Sequence, residues 1–414
     1  MELKRVVVTG LGAITPLGNN IEETWKGLVD GVSGAAPITH FDATKFKTTF
    51  ACEVKNFDPV QYFGKEARKM DPFTQFAAVA VEEAIKDSKL DLDAIDKNEV
   101  GVIWGAGIGG IQTFFEEVKN YVGGDGTPRY NPFFIPKMIA DIAPGHISIK
   151  YGFGGPNFGT VSACASSTNA IATALDLIRL GKANVIVSGG SEAAISEPGL
   201  GGFSSMKALS SRNDDPKTAS RPFDKDRDGF VMGEGGACLI LEEYEHAVKR
   251  GAHIYCELAG AAYSADAYHM TAPHPEGEGA SRVMANALKD AGLKPEDIDY
   301  INVHGTSTPL GDRGELKAIA NVFGDKAYDL NISSTKSMTG HLLGATGALE
   351  AIVCVKAIEN GIIPPTINHF EDDPEIDSKL NLTFNVAQKR EVKAALSNTF
   401  GFGGHNSTVI FKSL

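Results

Sequence analysis

The sequence is poor in cysteine, in long apolar runs and in basic charge, and each shortage excludes a class of protein. Its five cysteines are scattered, with no C-x-x-C pair, at positions 52, 164, 238, 256 and 354. A disulfide framework or zinc module is therefore not expected, and a reducing compartment fits better. No apolar run approaches the roughly 20 residues that span a bilayer. Because the N-terminus enters a predicted strand at once, we expect no signal peptide and a cytoplasmic protein.

Basic residues are outnumbered, with 39 Lys and Arg against 52 Asp and Glu and a net charge of −13. This balance argues against a general binder of nucleic acid or of anionic membranes, although it leaves room for a local basic patch. The 414 residues are 43% hydrophobic, which is enough to bury a large core in two or three domain-sized units.

Short apolar runs alternate with helical patterns along the whole chain. The runs predict buried strands at residues 5–9, 100–104, 184–188, 237–241, 298–303 and 407–411. Helix-spaced apolar residues predict helices at 71–88, 166–180 and 347–359, the last two rich in small residues and buried. This alternation predicts an α/β fold.

Two of these segments resemble each other. Residues 165–181 and 344–361 each follow a Ser/Thr-rich turn that carries a candidate catalytic residue, and each ends at glycine. We therefore expect two equivalent halves, residues 1–250 with the candidate cysteine and residues 251–414 with two candidate histidines.

Cys164 is the strongest candidate for a reactive group. It lies in Thr160-Val-Ser-Ala-Cys-Ala-Ser-Ser-Thr168, directly before a predicted helix. Unpaired backbone N–H groups and the helix dipole at such a position favour thiolate, the nucleophilic form. A lone cysteine is more often an inert core residue. Small neighbours that leave space for a substrate favour the nucleophile here, and the other four cysteines are interpreted as core residues.

Two histidines stand in similarly small, turn-rich settings. His304 begins His-Gly-Thr-Ser-Thr-Pro309, and His341 ends Lys336-Ser-Met-Thr-Gly-His. Either alone fits a structural histidine, but together, with Lys336 nearby, they are interpreted as paired hydrogen-bond donors or acid/base groups. A zinc site with Cys164 is an alternative that the spacing disfavours, because it offers no short chelating bite.

Two motif matches are rejected on their context. Residues 105–110 fit G-x-G-x-x-G after a strand, but no strand ending in an acidic residue follows about 20 residues later, as a dinucleotide site requires. Residues 224–229 match the first half of a calcium loop, yet its twelfth position is Gly235 rather than glutamate. A third glycine-rich stretch, residues 401–404, surrounds Phe402 and would let that ring move and let backbone amides approach a substrate.

Taken together, these residues resemble the β-ketoacyl-acyl carrier protein synthases, the elongating condensing enzymes of fatty-acid synthesis, and most of all the type called synthase II. The resemblance runs nearly end to end. Its specific motifs are Ser162-Ala-Cys-Ala165, Arg221-Pro-Phe-Asp-Lys-Asp-Arg-Asp-Gly229, His304-Gly-Thr-Ser-Thr-Pro309 and Lys336-Ser-Met-Thr-Gly-His341. Relatives that start chains from coenzyme A esters use Cys-His-Asn, and polyketide chain-length factors lack the cysteine.

The resemblance implies a thiolase-like fold, a five-layer αβαβα sandwich of two similar halves, in a homodimer. It implies no cofactor of the protein's own, because the phosphopantetheine arm arrives on the acyl carrier protein. No nucleic acid or membrane partner is implied.

The resemblance also implies roles for single residues. Cys164 would accept the acyl group, His304 and His341 would bind the malonyl thioester carbonyl, and Lys336 would order the site. The backbone N–H groups of Cys164 and Phe402 would form the oxyanion hole.

Further binding roles follow in the same way. Thr306 and Thr308 would hold the pantetheine arm, Phe402 would gate the second substrate and Ile108 would line the acyl pocket. A structural monovalent cation is implied at Asn302, Glu350, Ser397 and Asn398.

An acidic carrier protein requires a local positive face on this acidic chain. Lys65, Arg68 and Lys69 fall at i, i+3 and i+4 of a predicted helix, and Lys207 is a further candidate. A merely solvated helix face explains such a cluster about equally well.

Three other functions remain open at this point. A dehydrogenase-like enzyme would rest on residues 105–110, and a polyketide-type ketosynthase would share the same motifs. A non-catalytic partner subunit would require an unreactive Cys164.

Overall fold

The computed structural model describes residues 3–414, and a ten-stranded sheet runs through it. Its strands are β1 Val6–Ile14, β2 Val100–Gly105, β3 Asn157–Thr160, β4 Val185–Glu192, β5 Gly235–Glu243, β6 Cys256–Ala265, β7 Tyr300–Asn302, β8 Asn331–Ser333, β9 Ala394–Gly401 and β10 His405–Lys412. Two further sheets of two strands each are formed by Ala36–Pro37 with Phe50–Ala51 and by Ile362–Ile363 with Gln388–Lys389.

The strand order of the large sheet repeats. It reads β8-β7-β9-β10-β6-β1-β5-β4-β2-β3, so that strands β1–β5 and β6–β10 have the same order within their own five. The two fives join where β1 pairs antiparallel with β6, with Val7 opposite Glu257 and Val8 opposite Cys256. The expectation of two similar α/β halves is confirmed by this repeated topology.

Helices cover the strands and also separate the two halves. Their bounds are α1 Ile21–Val29, α2 Pro59–Phe63, α3 Pro72–Ser88, α4 Ile111–Gly123, α5 Phe134–Met138, α6 Ile142–Tyr151, α7 Ser166–Arg179, α8 Glu197–Ser205, α9 Tyr244–Lys249, α10 Glu278–Ala291, α11 Pro309–Phe323, α12 Lys336–Thr339 and α13 Thr346–Asn360. Helices α7 and α13 contact each other and strands of both halves, while α3 and α6 cover the first half and α10 the second. These contacts give the five layers of the predicted sandwich.

The middle layer is close-packed because small residues line its contacts. A Cβ at Gly105 would lie 2.4 Å from the Ser167 nitrogen, and one at Gly347 would lie 1.9 Å from Thr168 Oγ1. The N-terminal turns of α7 and α13 are also joined by a hydrogen bond of 3.0 Å from the Ala348 N–H to Ser167 Oγ. The first turns of both helices are thereby fixed next to each other.

All six predicted strands and the helices predicted at 71–88, 166–180 and 347–359 are present, with bounds that differ by a few residues. Four strands of the large sheet were not predicted. β3 is four residues long, β8 only three, and β6 and β9 are rich in alanine, serine or asparagine, so none shows a long apolar run. Among residues 3–414, no helix combines the length and the apolar character needed to cross a membrane.

Candidate active site

Cys164 lies in a tight turn between β3 and α7. Ala163 has a φ of +51°, a left-handed conformation that is strained for a residue with a Cβ. The turn is closed by hydrogen bonds of 3.1 Å from Ala165 N–H to the Ser162 carbonyl and 3.2 Å from Ser166 N–H to the Ala163 carbonyl. It directs the sulfur into a cavity of about 350 Å³, as the strained turn before a nucleophilic serine does in hydrolases.

His341 is the nearest polar partner of the sulfur. Its Nε2 lies 3.1 Å from Cys164 Sγ, and its Nδ1 lies 3.3 Å from Thr346 Oγ1. The Leu342 N–H donates to Thr346 Oγ1 at 3.2 Å, which leaves the hydroxyl proton for His341 Nδ1. When the hydroxyl donates this proton to Nδ1, the ring proton is on Nε2 and the ring donates toward the reacting centre.

His304 faces the same cavity across from His341, and the two ring centroids are 5.4 Å apart. The buried Glu315 carboxylate fixes the turn that carries His304, because it accepts the N–H groups of His304 at 2.9 Å and Gly305 at 2.8 Å. Burial and the charge of Lys336 hold the pKa of both histidines well below the ordinary value. Both imidazoles are therefore neutral near pH 7 and can each donate one N–H.

Lys336 supplies a buried positive charge behind the site. Its side chain is 2% exposed and forms an ion pair with Glu350, which is equally buried. The pKa of Glu350 is raised to about 7 by burial, against the opposing effect of Lys336. The lysine charge also lowers the pKa of the Cys164 thiol, and so do the backbone N–H groups of Phe402 and Cys164 that reach the sulfur.

The expectation that the helix start favours thiolate at Cys164 stays a prediction, because the structure surrounds the sulfur with influences of both directions. Burial is the largest influence on this thiol and raises its pKa to about 12 in spite of those groups. Position at a helix start lowers a thiol pKa, whereas partial burial, which the sequence does not reveal, raises it.

The cavity brings together most of the residues singled out in the sequence. Besides the cysteine and both histidines, Thr306, Thr308, Phe402 and Lys207 line it. The two threonine hydroxyls are 3.0 Å apart, and the Phe402 ring lies 6.4 Å from the ring of Phe203. Hydroxyl donors at the mouth and apolar walls suit a narrow polar chain that ends in a thioester.

Ile108 and the lysine cluster lie outside this cavity. Ile108 is 39% exposed, and the prediction that it lines an acyl pocket stays a prediction. Residues 64–69 form a 3-10 helix rather than the predicted α-helix. With three residues per turn, Lys65 and Arg68 share a face, but Lys69 turns away and pairs with Glu66 at 2.9 Å.

A polar group deep in the second half coincides with the implied cation site. The side chains of Asn302, Glu350, Ser397 and Asn398 are buried. Among the described residues, Asn302 Oδ1, Glu350 Oε2 and Ser397 Oγ have no hydrogen-bond partner. Oxygen atoms of this kind fit a hard cation. Within residues 3–414, no three His, Cys, Asp or Glu side chains are placed to hold a metal ion.

Sequence reasoning missed three residues that shape the site: Glu315, Thr346 and Glu192. Glu315 and Thr346 act through hydrogen bonds to the histidine-bearing segments, and nothing in their own sequence context marks them. Glu192 is fully buried at the end of β4, where a carboxylate after an apolar strand is a signal that could have been used.

Comparison with known proteins gives consistent matches over the whole chain. The family described as "Beta-ketoacyl synthase, N-terminal domain" matches residues 3–247, and its C-terminal domain matches residues 255–370. The 3-oxoacyl-acyl-carrier-protein synthase 2 of Synechocystis sp. is 52% identical over 100% of this chain and 99% of its own. That of Staphylococcus aureus is 48% identical, over 99% of this chain and 98% of its own.

Solved structures agree. A beta-ketoacyl synthase from Burkholderia phymatum has a TM-score of 0.92 and 35% identity, covering 99% of this chain and 100% of its own. A ketosynthase of a type II polyketide synthase, solved with its acyl carrier protein, has a TM-score of 0.91 and 33% identity, with complete coverage of both chains. The predicted thiolase-like fold is confirmed by these matches.

Replacing Lys336 tests the electrostatics of the site. Lys336→Met removes a positive charge that favours thiolate, so the pKa of Cys164 rises and less thiolate is present at a fixed pH. We expect alkylation of Cys164 by iodoacetamide at pH 8 to slow about tenfold or more, as one pKa unit requires. Mass spectrometry of the labelled peptide against time measures the rate.

The matched control is Lys356→Met, which removes the lysine of a partly exposed pair with Glu359. Its alkylation rate should equal that of the unaltered protein. Equal rates in Lys336→Met and the control would contradict the role assigned to the buried charge.

Proposed function

Because the chain belongs to the β-ketoacyl synthase family, we propose that it elongates fatty acids by condensing an acyl group with malonyl-acyl carrier protein. The observation that carries the proposal is a cysteine sulfur 3.1 Å from one histidine, with a second histidine facing the same cavity. Residues 1–250 would supply the nucleophile, and residues 251–414 would supply both histidines. No resident cofactor is needed, because the pantetheine arm arrives on the carrier protein.

The first half-reaction transfers the acyl group. Cys164 Sγ attacks the thioester carbonyl, the new C–S bond forms, and the old C–S bond breaks to release the carrier thiol, which takes the proton. The N–H groups of Cys164 and Phe402, which reach the sulfur, would hold the tetrahedral oxyanion. Removing one such donor typically raises the barrier by ~3–4 kcal/mol. Thr306 and Thr308 at the mouth would hold the pantetheine arm.

The second half-reaction forms the carbon–carbon bond. The malonyl carboxylate leaves as CO₂, and its bonding electron pair remains on the thioester as an enolate. His304 and His341 are neutral, so each can donate an N–H to the enolate oxygen without surrendering a proton. The carbanion then attacks the acyl carbonyl on Cys164, and the thiolate leaves to regenerate the enzyme.

Two alternatives share the fold. A polyketide-type ketosynthase would use the same residues, and the ketosynthase of a type II polyketide synthase described above is 33% identical to this chain. The 3-oxoacyl-acyl-carrier-protein synthases 2 are 48–52% identical, which favours fatty-acid elongation. A non-catalytic partner subunit would not need a cysteine and two histidines in one cavity.

A second copy of the chain would complete the molecule. β3 forms one edge of the large sheet, and edge strands present unpaired backbone groups. Around it Phe158 is 41%, Val161 65% and Ile149 81% exposed. We propose a homodimer in which two β3 edges meet and in which the exposed Ile108 is covered and closes the acyl pocket. All five cysteines are free, in keeping with the cytoplasm.

The buried oxygens of Asn302, Glu350 and Ser397 would hold a monovalent cation together with Asn398. Three partnerless oxygen atoms in one buried group cost free energy unless something satisfies them. A bound cation would do so and would stabilise the segment before Phe402, since Ser397 and Phe402 lie close on the same chain.

The nucleophile is tested by intact-protein mass after incubation with a long-chain acyl-acyl carrier protein. We expect a gain of one acyl group in the unaltered protein, because the thioester carbonyl is transferred to Cys164. Cys164→Ala should show no gain. An adduct that persists in Cys164→Ala, or none with any acyl donor, would contradict the proposed function.

Docking of the carrier protein is tested at Lys207, which is exposed and lines the cavity. We expect Lys207→Glu to raise KM for acyl-acyl carrier protein several-fold and to leave kcat unchanged, because an exposed charge acts on association. Initial rates at low and high salt measure the effect, which should shrink as salt screens it.

Lys182→Glu is the control, since this exposed lysine lies just beyond the opposite end of α7 from Cys164. An acyl-pantetheine without the carrier protein should be turned over equally by all three proteins. If both variants raise KM alike, Lys207 has no special part in docking.

The cation site is tested by thermal unfolding in potassium, sodium or choline chloride. We expect Tm to be about 3 °C or more higher in potassium or sodium than in choline, because a cation bound only by the folded state stabilises it. Ser397→Ala should abolish this difference. Ser188→Ala removes an equally buried, partnerless hydroxyl from β4 and should preserve it. Equal Tm values in all three salts for the unaltered protein would contradict the site.

A further inference from the structure

The glycine motif that resembles a dinucleotide fingerprint binds an anion of the protein itself. The amides of Gly107, Ile108 and Gly109 point at the carboxylate of Glu192. The bonds are 2.7 Å from Gly107 to Oε2, 3.1 Å from Ile108 to Oε1 and 3.0 Å from Gly109 to Oε1. Successive N–H groups in such a turn form an anion-binding concavity. The place that a pyrophosphate would need is therefore filled.

The same carboxylate also holds a segment from the other half of the chain. The Gly344 N–H donates to Glu192 Oε2 at 3.0 Å, three residues after His341. The two loops touch so closely that a Cβ at Gly344 would lie 2.1 Å from the Gly107 nitrogen. We define the Glu192 clamp as Glu192 with Gly107, Ile108, Gly109 and Gly344.

The clamp lies next to a residue with a strained backbone conformation. Leu343, which precedes Gly344 and lines the active-site cavity, has a φ of +48°. A non-glycine residue in this region costs about 1–3 kcal/mol and persists only where its surroundings fix it. A fully buried carboxylate that accepts four backbone N–H groups is such a surrounding. His341 and Leu343 are thus tied to the loop of Ile108 through one side chain.

We propose that Glu192 is a positioning residue that sets acyl-chain preference, by fixing the loop of Ile108 against the segment of His341 and Leu343. This inference rests on the proposed function, in which a long acyl chain passes Ile108. A short acyl group reaches only the sulfur and is insensitive to that loop. Loss of the clamp therefore penalises long chains selectively, whereas a merely structural role would lower all rates together.

Glu192→Gln is the test, since its amide nitrogen cannot accept an N–H and leaves part of the clamp without an acceptor. Acylation of Cys164 by butyryl- and palmitoyl-acyl carrier protein is followed by intact mass against time. The Glu192 charge raises the pKa of the Cys164 thiol, so its loss changes both rates by one common factor. Beyond that factor, we expect the palmitoyl rate to fall about fivefold or more relative to the butyryl rate. Hydrogen exchange should quicken in peptides that contain 107–109 and 344.

The control is Glu242→Gln, the same substitution at a fully buried glutamate on β5. Glu242 lies opposite Val185, the first residue of β4, whereas Glu192 is the last. At ~3.3 Å per residue, the two ends of this strand are about 23 Å apart. Glu242→Gln should change both rates by the same factor. Glu192→Asp, which keeps the charge but is too short to reach both loops, should repeat the palmitoyl defect.

An unchanged ratio of the palmitoyl to the butyryl rate in Glu192→Gln would overturn the proposal. So would a failure of Glu192→Gln and Glu192→Asp to fold while Glu242→Gln folds, because the clamp would then serve folding alone. Absence of any acyl adduct in the unaltered protein would instead contradict the proposed function. That outcome is distinct from an effect confined to the Glu192 variants.

Discussion

The close contact between α7 and α13 is the constraint on which the site depends. Each helix belongs to one half of the molecule, and each starts just after a turn that carries a reactive residue. Gly347 allows the first turns of the two helices to approach to a distance that any side chain would prevent, and Gly105 lets β2 lie equally close to α7. The sulfur of Cys164 and the ring of His341 are brought to 3.1 Å by this packing, although the two residues are 177 positions apart in the sequence.

Burial between the two helices disfavours the charged forms of Cys164, His304 and His341. For the thiol, nearby positive charge partly offsets this effect. Burial raises the pKa of the thiol and keeps both histidines neutral. The single buried lysine acts in the useful direction on all three groups, because a positive charge favours thiolate and disfavours imidazolium. Neutral imidazoles that donate N–H groups suit an enolate better than an acid would, since a proton transferred to the carbanion would end the reaction before a carbon–carbon bond forms.

Much of this could be predicted from the sequence, and the limits have physical causes. Cys164, His304 and His341 could be predicted because each lies in a turn of small residues next to an apolar element. Such a local pattern is visible in the sequence alone. Glu192 and Glu315 were missed because their partners are backbone N–H groups far along the chain. The pKa of the Cys164 thiol could not be predicted because burial depends on packing, which a helix boundary does not reveal. Likewise the basic cluster at 64–69 was placed on the wrong type of helix, since 3-10 and α-helical spacing differ by less than one residue per turn.

A single turnover shows whether the same cavity performs both the acyl transfer and the condensation. Protein carrying one acyl group on Cys164 is mixed with malonyl-acyl carrier protein, and CO₂ and the β-ketoacyl product are measured together. If one cavity performs both half-reactions, CO₂ and product appear in equal amounts and the acyl group leaves the protein at the same rate. Replacing both His304 and His341 by alanine should leave the acyl-protein intact and suppress CO₂ release. Release of CO₂ without product, or unchanged release from the double variant, would contradict the account.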